Sequence, residues 1–300
     1  MHIPGEYLSN PVCALTTLAA STTLGVGVWK ARRGEIRSGG AALAAVGSLV
    51  FAVQMINFPI DPGTSGHLIG AALATVVLGP WGAMLALASV LAIQATVFGD
   101  GGIGSWGANV LTMAVVAPWT AWFAYRGLAQ RGLAGDARRE TLAWGLAAAA
   151  SVLAAATACS LILAWGGAAP LGSVLPAMLL AHLPVGLAEG LATAAVALVV
   201  AGRSTIAPRA WLGAAAAVAV LVAPLASSAP DGLTVVAGRL GFQQTTAAGF
   251  AGLLPDYVWP GIGWAPLGVA LAGLVGVAAV AAAGYLVGQT SRAPQGDGRR

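Results

Sequence analysis

Long apolar runs separated by short polar joints dominate this chain, at residues 11–29, 41–58, 66–98, 106–125, 141–165, 177–201, 210–226 and 265–287. A helix rises 1.5 Å per residue, so about 20 residues cross a hydrocarbon core. Each run predicts one membrane span, except 66–98, which is too long for one. Gly79-Pro80-Trp81-Gly82 lies near its middle, and a proline flanked by glycines breaks a helix. A turn there predicts nine spans.

Charge separates a turn from a mere kink. With nine spans, every one of the 14 basic residues except Arg239 falls on one side, as the positive-inside tendency requires. Without the turn, the majority would lie outside. The expected protein is an all-α polytopic membrane protein with about nine transmembrane helices, N-terminus outside and C-terminus cytoplasmic. Glu6 precedes the first run and Lys30-Ala31-Arg32-Arg33 follows it. That is the reverse of a secretory signal, so the run is expected to be retained in the cell membrane.

Composition agrees, because 58% hydrophobic against 8% charged residues excludes an ordinary soluble domain. The formal charge of +4 comes from loops beside apolar runs. It suits an anionic lipid surface rather than nucleic acid. Acidic residues Glu6, Asp61, Asp100, Asp231 and Asp256 fall on the outer side, a potential that attracts cations or simply solvates loops. Cys13 and Cys159 lie far apart inside spans and read as packing residues.

Candidate chemistry starts from the 3 histidines, His2, His67 and His182. The Met1 amine, the His2 backbone nitrogen and the His2 imidazole are linked closely enough to close fused chelate rings on one cation. A fourth nitrogen would complete a square, which suits Ni(II) and less strictly Co(II) or Cu(II). His67 is the best-placed candidate for it. On spacing alone, an exposed terminal His2 and a helix-capping His67 describe the same residues and are the favoured reading.

Other residues change that balance. Met1-His2-Ile3-Pro4, Tyr7-Leu8-Ser9, Asn57-Phe58-Pro59, Gly63-Thr64-Ser65-Gly66-His67, Gly79-Pro80-Trp81, Gln94, Asp100-Gly101-Gly102, Gly107-Ala108-Asn109 and His182 to Glu189 together resemble the CbiM/NikM family. These are substrate-binding membrane components of energy-coupling-factor transporters for cobalt and nickel. The resemblance implies Ni(II) or Co(II) as transported substrate and Met1, His2 and His67 as its ligands. It also implies, as partners, a transmembrane coupling subunit of the CbiQ/NikQ type and cytoplasmic ATPases of the CbiO/NikO type. The order Gly5-Glu6 departs from the acid-then-glycine order usual in the family.

Residues 201–209 form a polar joint and the best boundary. Residues 1–202 are expected to be the metal-binding membrane domain. Residues 210–288 resemble the two-span CbiN/NikN accessory subunit through Pro230-Asp231-Gly232-Leu233, a stretch that equally suits a β-turn. Residues 289–300 are expected to be a disordered cytoplasmic tail.

Buried polar residues complete the reading. Asn57, Ser65, Gln94 and Asn109 are candidates to orient the ligands from behind. His182 and Glu189 share a helix face two turns apart, either bracing the site or forming a hydrogen-bonded packing pair. An intramembrane enzyme using His182 and Glu189 is the alternative, without a recognisable nucleophile turn; a passive channel would need polar rings along several spans. The sole lysine, Lys30, precedes alanine, so no phosphate-loop lysine exists here and the ATPase is expected on other chains.

Overall fold

The computed structural model describes residues 1–36, 39–201, 206–243 and 252–290. The joint Gly202-Arg203-Ser204, residues 244–251 of the outer loop and nearly all of the expected tail lie outside the described residues.

Apolar content and length make helices of nearly every run. The main ones are α1 (Asn10–Arg32), α2 (Gly40–Gln54), α3 (Ala71–Ile93), α4 (Trp106–Asn109) and α5 (Ala117–Leu128). They continue with α6 (Ala137–Trp165), α7 (Leu171–Val200), α8 (Pro208–Ala217), α9 (Gly232–Leu240) and α10 (Ala265–Thr290). Helix α6 is started by Asp136, whose Oδ1 accepts from Arg139 N at 2.8 Å, a local N-cap.

Among the described residues, 6 helices are long and apolar enough to cross a membrane, where nine spans were expected. Helix α2 has only 15 residues, because the chain passes into an extended strand at Phe58. The run after Trp106 is divided into α4, a π-helical segment Val110–Val116 and α5. Residues 71–98 form one helical stretch, although Gly79 leaves helical geometry at φ 70 and ψ 171.

The two sides of Gly79 report where that stretch goes. A Cβ at Gly27, near the basic end of α1, would lie 3.5 Å from Trp81. Lys30 Nζ sits 5.6 Å from the Trp81 ring centroid. Ile69, just before the stretch, and Gln94, near its far end, both hydrogen-bond Gln54 instead.

Glycines set the closest crossings. A Cβ at Gly288 would come within 2.2 Å of Gly40 Cα, which fixes α10 tightly on α2. Van der Waals packing through small residues is the usual association mode in lipid. Helix α8 also packs on α2, and α9 packs on α7. Arg32 Nε donates to Thr290 O at 3.0 Å, joining the ends of α1 and α10.

The loop before His67 is a short antiparallel hairpin, β1 (Phe58–Asp61) with β2 (Thr64–Gly66). Pro62 precedes Gly63, whose φ of 77° is the left-handed second position of a type II turn. Ser65 also pairs in parallel with Asp231. A strand-like edge therefore joins the first and last parts of the chain.

Candidate metal centre

The N-terminal arm is inserted, not exposed. Met1 is 4% exposed, His2 8% and Ile3 0%. Its anchor is Asn109, 2% exposed, at the point where α4 widens into a π-helical segment. Asn109 Oδ1 accepts from Ile3 N at 2.7 Å and its Nδ2 donates to Ile3 O at 3.1 Å. One side-chain amide thus pairs with the arm as a neighbouring strand would. Gly101 permits this approach, since a Cβ there would fall 2.6 Å from Asn109 Nδ2 and 3.4 Å from His2 Cβ.

So held, the Met1 amine lies 2.9 Å from His67 Nε2 and 2.9 Å from Asp231 Oδ2. The His2 and His67 rings stack with centroids 5.1 Å apart and planes 24° apart. On the far side, His2 Nδ1 is 3.3 Å from Asp100 Oδ1, and Asp100 Oδ2 accepts from Tyr257 OH at 2.9 Å.

A chain of amides fixes the histidine tautomer. Ile69 O can only accept, so Gln54 presents Nε2 to it at 2.6 Å. Gln54 Oε1 then accepts from Gln94 Nε2 at 2.9 Å. Gln94 Oε1 is left facing His2 Nε2 at 3.1 Å, which must carry the proton. The lone pair of a neutral His2 is thereby on Nδ1, the nitrogen that lies 3.3 Å from Asp100 Oδ1. His67 Nδ1 donates to Leu68 O at 3.0 Å, which frees the Nε2 lone pair toward the amine. Such partners of the second ring nitrogen set the donor face of a ligating imidazole.

Burial favours neutral imidazoles here. It lowers the His2 pKa, opposed in part by Asp100. Burial, reinforced by the N-terminal ammonium and by His2, holds His67 well below its ordinary value. Burial alone would raise Asp231, but the ammonium and hydrogen bonds from it and from Thr234 outweigh that and hold the carboxyl well below the usual range. Tyr257 is pushed well above the ordinary phenol value by burial and by Asp100.

The family model described as "CbiM: Cobalt uptake substrate-specific transmembrane region" matches residues 2–206, more than half of the chain. The chain belongs to the CbiM family. A fused nickel transport protein NikMN of Rhodobacter capsulatus is 35% identical over 332 residues, covering 94% of this chain and 95% of that one. A cobalt transport protein CbiM of Acetohalobium arabaticum is 31% identical over 129 residues, covering 42% of this chain and 51% of that protein. The crystal structure of a truncated transition metal transporter, 34% identical, superposes with a TM-score of 0.58, covering 65% of this chain and 96% of that one. This CbiM-family chain is therefore a multi-pass membrane protein and a component of metal transport.

The structure brings Met1, His2, His67, Gln94 and Asn109 together, but not all residues expected around them. Asn57 does not reach the donors. Its carbonyl accepts from Ser227 N at 2.7 Å, and its Oδ1 is buried without a partner among the described residues. Ser65 acts through the main chain, with Oγ donating to Ala229 O at 2.6 Å and N to Pro230 O at 2.8 Å.

His182 and Glu189 are not a hydrogen-bonded pair. Two turns along one helix is about 10.5 Å of rise, beyond hydrogen-bond reach. His182 Nδ1 donates instead to Met178 O at 2.8 Å. Glu189 Oε2 accepts from Ile69 N at 2.8 Å and Gly70 N at 3.1 Å. Glu189 therefore caps the start of α3 from another helix, just after His67.

Gln54, Asp100, Asp231 and Tyr257 are the neighbours that sequence reading did not assign to the site. An amide inside the apolar run of α2 was a usable signal for Gln54. The others depend on loops whose meeting point no spacing encodes.

Proposed function

We propose that this chain is the substrate-capture subunit of an ATP-driven energy-coupling-factor importer for Ni(II) or Co(II). The ion is held by the Met1 amine, the His2 amide nitrogen after loss of its proton, the His2 imidazole and His67. The observation that carries this reading is the 2.9 Å separation of the Met1 amine and His67 Nε2. Neighbouring nitrogens of a square with bonds near 2.0 Å lie about 2.8 Å apart.

Connectivity adds a second constraint. The amine and the His2 imidazole both adjoin the His2 amide in fused rings, so a fourth donor must adjoin the amine and the imidazole. His67 does so, with its nitrogen beside the amine and its ring stacked on His2. Among the described residues no group of three or more His, Cys, Asp or Glu side chains could hold a metal. A donor set built on backbone nitrogens is consistent with that, since it needs only two such side chains.

For topology, the proposal keeps nine spans, N-terminus outside and C-terminus cytoplasmic. The contacts of Trp81 near Lys30, with Ile69 and Gln94 both at Gln54, support a hairpin at Gly79. Residues 1–202 then form the capture domain and 210–288 the accessory part. Energy comes from partner subunits, a CbiQ/NikQ-type coupling protein and CbiO/NikO-type ATPases.

His67→Ala tests the reading by metal analysis and calorimetry on the purified chain. The expected result is loss of high-affinity Ni(II) and Co(II) binding with the helical circular dichroism retained. Native-like affinity in that variant overturns the site.

A further inference from the structure

We infer that Asp231, contributed by the C-terminal part of the chain, is a positioning residue that holds the Met1 amine in place for the incoming ion. This rests on the proposed metal site and adds a residue to it.

Four observations meet at one corner. Asp231 Oδ2 lies 2.9 Å from the Met1 amine. Asp231 Oδ1 is committed elsewhere, accepting from Thr234 N at 2.9 Å and Thr234 Oγ1 at 2.7 Å as the N-cap of α9. The carboxylate therefore cannot swing, and its free oxygen has one assigned partner. The residues just before it, Ala229 and Pro230, grip Ser65 two positions ahead of His67. The residue just after it, Gly232, lies against α7, where a Cβ would be 3.3 Å from Ala181 Cβ and 3.4 Å from His182 Cε1. Residues 229–232 thus set the amine and the His67 hairpin relative to one another.

The chemistry of the amine explains why such a partner is useful. A chain terminus rotates freely, and a chelate closes only when its lone pair faces the same point as the other donors. A nitrogen with His67 on one side and Asp231 on another keeps one hydrogen for the carboxylate after it gives its lone pair to the metal. Binding then releases one proton from the ammonium and one from the His2 amide, without a change in where the amine nitrogen sits. Partners of this kind outside the ligand shell change metal affinity roughly tenfold to hundredfold when removed.

The test uses the full chain with a free N-terminus and Ni(II) as probe. Asp231→Asn retains the N-cap oxygen of α9, since Asn caps as well as Asp, but turns an amide nitrogen toward the amine. Asp231→Ser retains a capping oxygen and removes the amine's partner altogether. Both variants are expected to bind one Ni(II) per chain with affinity weakened roughly tenfold to hundredfold. The d–d absorption of bound Ni(II) at saturation should match the native chain, because the nitrogen set is unchanged. Affinity within twofold of native in both variants overturns the inference. An altered d–d spectrum also overturns it, making Asp231 a direct ligand. A native chain that binds no Ni(II) or Co(II) refutes the metal site itself, whatever Asp231 does.

Discussion

Replacing Asn109 with alanine should release the arm that carries two of the donor residues. Asn109 pairs with both polar backbone groups of Ile3, at 2.7 Å and 3.1 Å, and Ile3 is 0% exposed. Alanine leaves a buried N–H and a buried C=O unpaired, at about 1–3 kcal/mol each. The low end of the sum, about 2 kcal/mol, weakens docking roughly thirtyfold, since about 1.4 kcal/mol is tenfold. Apparent affinity falls with the docked fraction, and surplus docking stability absorbs part of the cost. The expected outcome in calorimetry is a Ni(II) dissociation constant raised about tenfold or more at unchanged stoichiometry. Hydrogen exchange of the Ile3 amide should accelerate in the same variant. Asn109→Asp preserves the bond to Ile3 N and sets an oxygen against Ile3 O, so it should also weaken binding. Native affinity in Asn109→Ala with a still-protected Ile3 amide would refute the anchoring argument.

Extending the N-terminus by even one residue should eliminate Ni(II) and Co(II) binding in equilibrium dialysis, because the amine becomes an amide and the space around Met1 is filled; tight binding by an extended chain sinks the chelate. Gly288→Ala places a Cβ against the backbone of Gly40 and should lower thermal stability by about 1–3 kcal/mol of overpacking, with Ni(II) stoichiometry unaltered. Tyr257 has a raised pKa from burial and Asp100, so its contribution to stability is complete below the ordinary phenol value of 10.0 and declines as pH rises above it. Tyr257→Phe should remove that alkaline decline, and identical pH profiles of unfolding for the two proteins would count against it.

Hydropathy alone was enough for the class of protein and for where most helices run, because crossing a hydrocarbon core demands long apolar runs whatever their neighbours are. By length, 6 helices among the described residues suffice to cross, fewer than the apolar runs suggested, since α2 stops at 15 residues before the extended Phe58–Asp61 strand. Motif resemblance singled out Met1, His2, His67, Gln94 and Asn109, and the structure brings these residues together. Glu189 was visible as a costly buried acid, but its partner was not. Seven residues of spacing suggested His182, whereas helix crossing delivers the backbone of Ile69 and Gly70. Asp231 was legible as an outer acidic residue within the Pro230-Asp231-Gly232-Leu233 resemblance or a β-turn, but not as the partner of the Met1 amine. A sequence fixes covalent neighbours and local periodicity, while a hydrogen bond across 230 positions depends on how α9, the His67 hairpin and the N-terminal arm dock. Only tertiary packing could put a carboxylate from the last third of the chain on the first nitrogen.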